Sequence, residues 1–470
     1  MRLFSTLCIF ILLAQAVTLN AGDRWNIRAI GMGRTSVASS RGTEAIGINP
    51  ANLALPGRGV FSLSLFPIGV RVSTEMISYD IYQQYFTGIP GTGNGGSRDP
   101  KILTEEDKQN ILSSLPDGLA ATRIDIEVMD LGASITTNKL GGLGVAVVDH
   151  ASGSLEIAKD FTRFFLYGLD SAGSRYNFDG TSVTAAWWRE FNISYAYQIT
   201  LSSEWLRSLS IGVGAKLLQG YGIFETQHYS ASVANQRVGA NQYLLNAQFD
   251  YLTRRAGADF FNPDKHVDMS MFPEPAGKGV GFDLGVSAQI KPGLRVAASI
   301  TDIGNIHWTK NLVKTDGRYS LAMDDPFKTE NADSLENAVR GKNQAGDEFS
   351  STLPTTLRIG VALESDESTI LSFLPGKMLL AFDYTQGLNS SMGNVTEPRF
   401  SLGMEYRGIP FLPLRTGLSM GGGEGVRWAA GFGLDFQYVC LDVATENFGA
   451  LFSKKIPQNV SIAAGLRVII

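Results

Sequence analysis

The chain has 470 residues, of which 18% are charged and 52 are glycine, and its formal net charge is −5. An average soluble domain has about 25% charged residues and about 7% glycine, so this chain is poor in charge and rich in glycine. The small negative charge argues against a nucleic-acid-binding surface. Because the hydrophobic content is an ordinary 44%, the composition fits a transmembrane β-barrel, in which only alternate residues of each strand face lipid.

Residues 1–21 have the pattern of a secretory signal peptide. Arg2 supplies a basic start, residues 7–13 form a short apolar core, and Ala16 or Ala21 provides a small residue before a cleavage site. The apolar run is too short for a membrane anchor. Once this segment is removed, Cys440 is the one cysteine of the sequence, so we expect no intrachain disulfide. We therefore predict an exported chain that is periplasmic, secreted or inserted in an outer membrane.

Residues 22–59 do not alternate like a strand. Gly31 and Gly33 interrupt them, and Asn49-Pro50-Ala51-Asn52 predicts a turn. The two glycines are not a dinucleotide-binding loop, because Ser36 stands at the position of the third glycine and no strand precedes them. The segment is either a plain leader before the first strand or a compact unit that packs in a confined space.

From residue 60 onward, apolar residues alternate with small or polar ones. The pattern is clearest at residues 460–470, whose length matches the roughly 9–11 residues of a tilted strand that crosses a bilayer. Pro67 predicts a bend in the first strand, and Met129-Asp130 predicts a bulge in the second. The pattern predicts fourteen spanning strands, near residues 60–79, 123–136, 143–147, 191–198, 209–217, 282–290, 294–300, 357–363, 378–384, 400–406, 414–420, 428–436, 439–443 and 460–470.

Two connections contain further predicted structure. Thr104 and Asp107 predict the capped start of a helix over residues 104–115. Residues 243–251 also alternate, but a span there would place the long stretch 252–278 at the end of the barrel where turns are short. We therefore predict that residues 219–279 form one elaborate outer loop.

The two faces of the predicted strands differ in chemistry. The outer face is apolar or aromatic, whereas the face that would line a barrel carries charges of both signs, which predicts ion pairs rather than a selective ring of one charge. The predicted lumen-lining charges are Asp125, Glu127, Lys216, Asp283, Arg295, Arg358, Asp383, Glu405, Arg415, Asp435, Asp442 and Arg467. Aromatic residues expected at the membrane interfaces are Trp187, Trp188, Tyr195, Tyr197, Trp308, Tyr384, Tyr406 and Trp428.

Residues 31–38 (Gly-Met-Gly-Arg-Thr-Ser-Val-Ala) are followed by residues 48–54 (Ile-Asn-Pro-Ala-Asn-Leu-Ala) and then by the strands, among them residues 281–285 (Gly-Phe-Asp-Leu-Gly). With fourteen strands and an apolar terminal strand, the chain resembles FadL-type outer-membrane transporters. The chain departs from these transporters at its last residue, Ile470, where an aromatic residue is commoner.

The resemblance implies an N-terminal hatch that plugs the barrel. The domains would then be a signal peptide (1–21), a hatch (22–59) and a transmembrane β-barrel (60–470). The residues that match the hatch motifs are Gly31, Gly33, Asn49, Pro50, Ala51 and Asn52. The resemblance also implies an outer membrane of the Gram-negative type and passage of hydrophobic molecules such as long-chain fatty acids through a lateral opening or channel.

We expect no enzyme activity, cofactor or metal site, because the four histidines are scattered through the sequence. The expected partners are outer-membrane lipid and a hydrophobic or detergent-like small molecule. Two alternatives remain open. The barrel could serve as a partner or anchor in protein secretion or surface assembly, as some proteins of this fold do, or the chain could be a secreted soluble β-protein.

Overall fold

The computed structural model describes residues 24–76, 78–90, 98–168, 174–201, 205–237, 243–257, 273–323, 334, 339–365, 376–423, 425–451 and 459–470. Fourteen of its strands pair in chain order. They are β1 (Phe61–Thr74), β2 (Leu119–Thr137), β3 (Gly141–Ala158), β4 (Ser182–Thr200), β5 (Ser208–Arg237), β6 (Gly277–Lys291), β7 (Leu294–Trp308), β8 (Thr356–Glu364), β9 (Lys377–Gly387), β10 (Arg399–Ile409), β11 (Leu412–Gly421), β12 (Val426–Asp435), β13 (Val439–Thr445) and β14 (Asn459–Ile469).

The fourteen strands form a closed antiparallel ring. Each strand pairs with the next, and β14 pairs with β1 from Ser62↔Ile469 to Ser73↔Asn459. Closure satisfies the backbone hydrogen bonds without leaving a free edge, which hydrocarbon requires. The predicted fourteen-stranded barrel is confirmed.

The outer face of the ring is apolar. Its large exposed side chains include Leu131, Val145, Ile193, Val213, Phe282, Val296, Ile359, Phe382, Leu402, Leu418, Phe432 and Ile462. Such a band, with polar side chains on the inner face, is the arrangement of a transmembrane barrel.

The second half of β5 continues beyond the ring. From Gly222 to Arg237 it pairs with Tyr243–Gly257, which pairs in turn with Val313–Met323. The short strands Arg175–Asn177 and Lys342–Ala345 pair at the sides of this external sheet. Tyr243–Gly257 is therefore not a spanning strand, as predicted, although part of residues 219–279 lies outside the described residues and residues 277–279 already belong to β6.

The connections contain short helices. Glu105–Ser113 begins at Thr104 with the predicted capping box to Asp107. The other helical turns are Ile27–Gly31, Gly42–Ala45, Pro50–Ala54, Tyr79–Ile81, Tyr82–Phe86, Lys159–Tyr167, Ser391–Gly393 and Phe448–Leu451. Short strands also occur at Ile89–Pro90, Arg98–Asp99 and Phe349–Thr352. Among the described residues, no helix is both long and apolar enough to cross a membrane.

Several details differ from the sequence prediction. β1 ends at Thr74 rather than at residue 79, and β4 begins at Ser182, nine residues before its predicted start at 191. The interface prediction is wrong for Trp188 and Trp308, whose exposed fractions are 3% and 0%. A register shift between Trp187 and Trp188, and the left-handed φ of +62° at Asp302, change which residues face inward.

Candidate functional site

Residues 24–55, called the N-terminal segment below, are almost entirely buried. They contact every strand of the ring, so they lie within it. From β1 to β14 the contacted residues are Ser64, Thr136, Gly142, Glu190, Gly212, Gly285, Ser299, Glu364, Asp383, Glu405, Gly417, Gly431, Ala444 and Arg467.

The two asparagines of the predicted turn hold the N-terminal segment in shape. The Asn49 side chain accepts a hydrogen bond from the Ala51 amide and donates to the carbonyl of Val286 on β6. The Asn52 amide donates to the Val37 carbonyl at 2.9 Å. The Asn-Pro-Ala-Asn sequence therefore both folds this segment and attaches it to the wall.

Glycines of the wall allow the backbone of the N-terminal segment to approach closely. A Cβ at Gly417 would lie 2.2 Å from the carbonyl carbon of Met32, and a Cβ at Gly212 would lie 2.2 Å from the Ala51 nitrogen. No side chain fits at such distances, so glycine is required at these positions. Part of the glycine content of the chain thus reflects contact between the wall and the N-terminal segment.

Six charged groups form a closed ring in which positive and negative charges alternate. Arg28 Nε lies 2.7 Å from Glu405 Oε2, and Arg415 Nη1 lies 2.6 Å from Asp442 Oδ1. Arg28 and Glu44 belong to the N-terminal segment and the other four to the wall. In order around the arginine–carboxylate ring, the members are Arg28, Glu405, Arg415, Asp442, Arg467 and Glu44. Because its charges cancel, the ring ties segment and wall together without a net buried charge.

A second group of charges, the Arg24 cluster, is acidic. It consists of Arg24, Glu127, His150, Glu190, Lys216, Asp283 and Asp302. Arg24 Nη2 lies 2.7 Å from both Glu190 Oε2 and Asp302 Oδ1, and Lys216 Nζ lies 2.6 Å from Asp302 Oδ1. Burial alone would lower the pKa of Arg24, but the four carboxylates raise it well above its ordinary value, so Arg24 remains charged. With a neutral imidazole, four negative groups face two positive ones.

The Arg24 cluster is not arranged as a metal site. Among the described residues, no group of His, Cys, Asp and Glu side chains has the geometry to hold a metal ion. The Lys216 ammonium, whose side chain is 0% exposed, instead lies against three of the four carboxylates, those of Glu190, Asp283 and Asp302.

A third contact joins Arg34 to Glu446, just beyond the end of β13. Glu446 also lies 3.6 Å from Arg71 Nη1 and 3.3 Å from Arg427 Nη1. Burial raises the pKa of Glu446, but the three arginines outweigh it and lower the pKa to about 2. The carboxylate is therefore ionised at neutral pH and holds Arg34 against the wall.

The wall of the ring is interrupted at Phe66, Pro67 and Gly465, called the wall break below. While β1 advances from Leu65 to Ile68, β14 advances only from Leu466 to Ala464, so Phe66 and Pro67 face one residue. Pro67 has no backbone N–H to donate. Phe66 has a left-handed φ of +48° and is 66% exposed toward the outside.

The neighbouring strand is irregular at the same height. β2 has a bulge between Met129 and Leu131, which confirms the predicted position. The hydrogen-bond ladder is therefore weakened across three adjacent strands, β14, β1 and β2.

A cavity of about 60 Å³ lies behind the wall break. Trp25 and Ile27 line its apolar part, and the Trp25 ring lies beneath the guanidinium of Arg34, 5.1 Å from its centroid. The lining also includes Pro67, Met129, Leu466, Arg28, Glu44 and Arg467. Ligand pockets usually have about 300–1,000 Å³, so a ligand requires this space to widen.

The structure brings most of the predicted lumen-lining charges together. Glu127, Lys216 and Asp283 belong to the Arg24 cluster, and Glu405, Arg415, Asp442 and Arg467 to the arginine–carboxylate ring. Asp125 pairs with Arg71, Asp383 accepts from the Ser36 and Val37 amides, and Asp435 pairs with Arg58 and Arg407. Arg295 lies 3.5 Å from Glu364, and Arg358 is 4% exposed. The residues Gly31, Gly33, Asn49, Pro50, Ala51 and Asn52 are all buried in the N-terminal segment.

Sequence reasoning missed several wall members of these networks, among them Arg71, His150, Glu190 and Asp302. Glu190 and His150 lie just outside the predicted limits of β4 and β3, so extending the alternation would have found them. Arg71 follows the wall break and Asp302 has a left-handed φ, and both irregularities disturb the alternation.

Residues 50–446 match the model of a family described as Family of unknown function (DUF5723). The chain belongs to this family. No curated protein matches the chain.

Solved structures of barrels are similar to this family member. The toluene transporter TbuX of Ralstonia pickettii is 12% identical, with a TM-score of 0.44, over 94% of this chain and 98% of its own. The toluene transporter TodX of P. putida is 12% identical, with a TM-score of 0.43, over 94% and 96%. A Pseudomonas aeruginosa FadL homologue is 9% identical, with a TM-score of 0.41, over 96% and 98%. These TM-scores are too low to assign a substrate to this chain. The barrel fold is established by the closed pairing of its own strands.

Proposed function

We propose that this chain is an outer-membrane barrel through which hydrophobic small molecules pass, and that its N-terminal segment is the hatch that closes it. The observation that carries the proposal is the wall break. It interrupts the ladder beside a cavity that is lined by apolar side chains next to the break and by charged side chains farther inside. The hydrocarbon of the membrane lies on the other side of the break. A hydrophobic molecule in this cavity would reach lipid without crossing a polar layer.

The hatch must shift before a molecule can pass. Trp25 and Ile27 fill the inner side of the wall break, since a Cβ at Gly465 would lie 2.5 Å from Ile27 Cδ1. The arginine–carboxylate ring and the Arg24 cluster hold these residues in place. In this proposal passage is passive. A shift of residues near Trp25 widens the cavity toward the wall break, as a small movement between two packed arrangements.

The export signal predicted for residues 1–21 and the apolar outer face support a location in an outer membrane. The last residues of the N-terminal segment lie at the end of the barrel with the short turns, because Thr136 Oγ1, next to the turn between β2 and β3, donates to the Leu53 carbonyl.

Uptake of a labelled long-chain fatty acid, in cells with and without the gene, tests the proposal. We expect faster uptake when the protein is present and correctly inserted. Equal uptake, accompanied by loss of secreted or surface proteins when the gene is deleted, would favour a role in secretion or surface assembly. Extraction without detergent would instead favour a soluble β-protein.

A further inference from the structure

His150 lies at the contact between the hatch and the wall. The residue is 5% exposed, and its ring stacks on Trp188 with centroids 4.8 Å apart. Its Nε2 lies 2.9 Å from Arg24 Nη1, and its Nδ1 lies 3.1 Å from Glu127 Oε2. The imidazole thus connects a hatch arginine to a wall carboxylate.

The partners of His150 determine its protonation. A guanidinium can only donate hydrogen bonds, so the contact with Arg24 requires a lone pair on Nε2. With Nε2 accepting from Arg24 and Nδ1–H donating to Glu127, the imidazole is the neutral tautomer. Protonation would remove the acceptor for Arg24 and place two positive groups in contact.

A carboxylate is already in position for the protonated ring. Glu190 Oε2 lies 3.5 Å from His150 Nε2, and the same oxygen accepts from Arg24 Nη2 at 2.7 Å. An imidazolium would have Glu127 at one nitrogen and Glu190 at the other. A proton on His150 and the guanidinium of Arg24 therefore compete for the same two carboxylates.

The other charged groups of the cluster favour uptake of a proton. Lys216 on β5 is the second cation, and Asp283 on β6 and Asp302 on β7 complete the four carboxylates. When Arg24 leaves, four carboxylates face Lys216 alone, so the vacated site binds a proton more tightly than the occupied one. By linkage, acidification shifts the equilibrium toward the state without Arg24.

We propose that His150 is a pH-sensitive switch which releases the first residues of the hatch when it is protonated. The switch rests on the proposed function in one respect, that residues 24–55 act as a movable hatch. The arginine–carboxylate ring contains no histidine and has no net charge, so acidification frees residues 24–27 before the rest of the hatch.

Hydrogen–deuterium exchange of the full mature protein in detergent tests the switch. The measured quantity is the protection of peptides that cover residues 24–33, at about pH 8 and about pH 5, corrected for the effect of pH on chemical exchange. We expect protection to fall about tenfold at the lower pH, which corresponds to a tenfold difference in proton affinity between the two states. Peptides from β10 and β11 serve as the internal reference.

Three variants test whether protonation of His150 causes the loss of protection at the lower pH. His150→Gln retains an acceptor for Arg24 but cannot titrate, so its protection should stay constant between the two pH values. His307→Gln, at an exposed histidine of the outer end of β7, should behave like the wild type. Arg24→Gln removes the competing cation, so protection should be low at both pH values.

Unchanged protection in the wild type would overturn the proposal, as would an equal fall in His150→Gln. If His150→Gln fails to fold, a pH-dependent fall that persists in Arg24→Gln would overturn it instead. The readout uses no transported molecule, so failure of fatty-acid uptake and failure of the switch are separate results.

Discussion

Trp25 lies directly against Gly69 on the inner side of β1, two residues beyond Pro67. A Cβ at Gly69 would come within 2.0 Å of Cε3 of the indole, so only glycine lets the ring close the wall at this height. The guanidinium of Arg71 lies 6.0 Å from the centroid of the same ring. Trp25 is thus the side chain that seals the inner face of the wall break.

Removing this seal should increase passage. We expect Trp25→Ala to speed fatty-acid uptake several-fold, because the cavity behind the wall break loses its largest apolar lining group. Trp205→Ala is the matched control, since Trp205 is 75% exposed outside the lumen and its loss should leave uptake unchanged. Equal uptake in the two variants and the wild type would show that Trp25 does not limit passage.

The arginine–carboxylate ring should contribute strongly to stability. In Glu405→Gln, Arg28 and Arg415 lose their shared partner and remain buried, which costs about 3–5 kcal/mol for a broken buried pair. The midpoint of heat-modifiable migration on a gel measures this loss. Asp250→Asn removes one partner of the exposed Arg318–Asp250 pair and should change the midpoint little. A similar small change in Glu405→Gln would contradict the structural role of the ring.

Glu446 should make stability depend on pH. Its folded pKa is about 2, below the ordinary 4.5, so the carboxylate stabilises the fold fully above about pH 4.5. This contribution, on the order of 3 kcal/mol, is lost as the pH falls from 4.5 toward 2. Denaturant midpoints between pH 7 and pH 3 measure it. Glu446→Gln should be less stable than the wild type at pH 7, and its stability should depend less steeply on pH. If the stability of this variant falls with pH as steeply as that of the wild type, Glu446 does not cause the pH dependence.

Gly417 should not tolerate even one methyl group. In Gly417→Ala the Cβ would meet the Met32 backbone, so either the N-terminal segment or β11 must move, at a cost of about 1–3 kcal/mol. Gly57→Ala is the control, because the nearest atom to a Cβ there is 3.7 Å away. The thermal midpoint of Gly417→Ala should be lower than that of Gly57→Ala, by the number of degrees that corresponds to this free energy. Equal midpoints would mean that the close contact between the N-terminal segment and the wall is absent.

The barrel could be predicted from the sequence because alternation is a local signal. β14 and β6 show it clearly, and closure then follows from the need to pair every backbone group in lipid. The parts of the strands that lie beyond the membrane, such as Gly222–Arg237, could not be delimited, since neither face there is selected by lipid.

The charge networks could be predicted only from the wall side. Glu405 and Lys216 lie at inward positions of regular strands, so the alternation of inward and outward residues predicted them. Their partners Arg28 and Arg24 lie in a segment without periodicity, where no pattern tells which side chain meets which strand. The sequence therefore indicated ion pairs across a lumen, whereas many of these charges pair with the N-terminal segment.

A reversible tether of the hatch tests the central claim most directly. Thr43 Oγ1 lies 2.6 Å from Ser64 Oγ on β1, so Thr43→Cys with Ser64→Cys places two sulfurs close to the roughly 2 Å of a disulfide. Cys440→Ser removes the native thiol, and the single-cysteine variants are the controls. We predict that oxidation stops fatty-acid uptake by the double variant and that a reductant restores it. Uptake that continues at the same rate through a fully cross-linked protein would contradict a moving hatch.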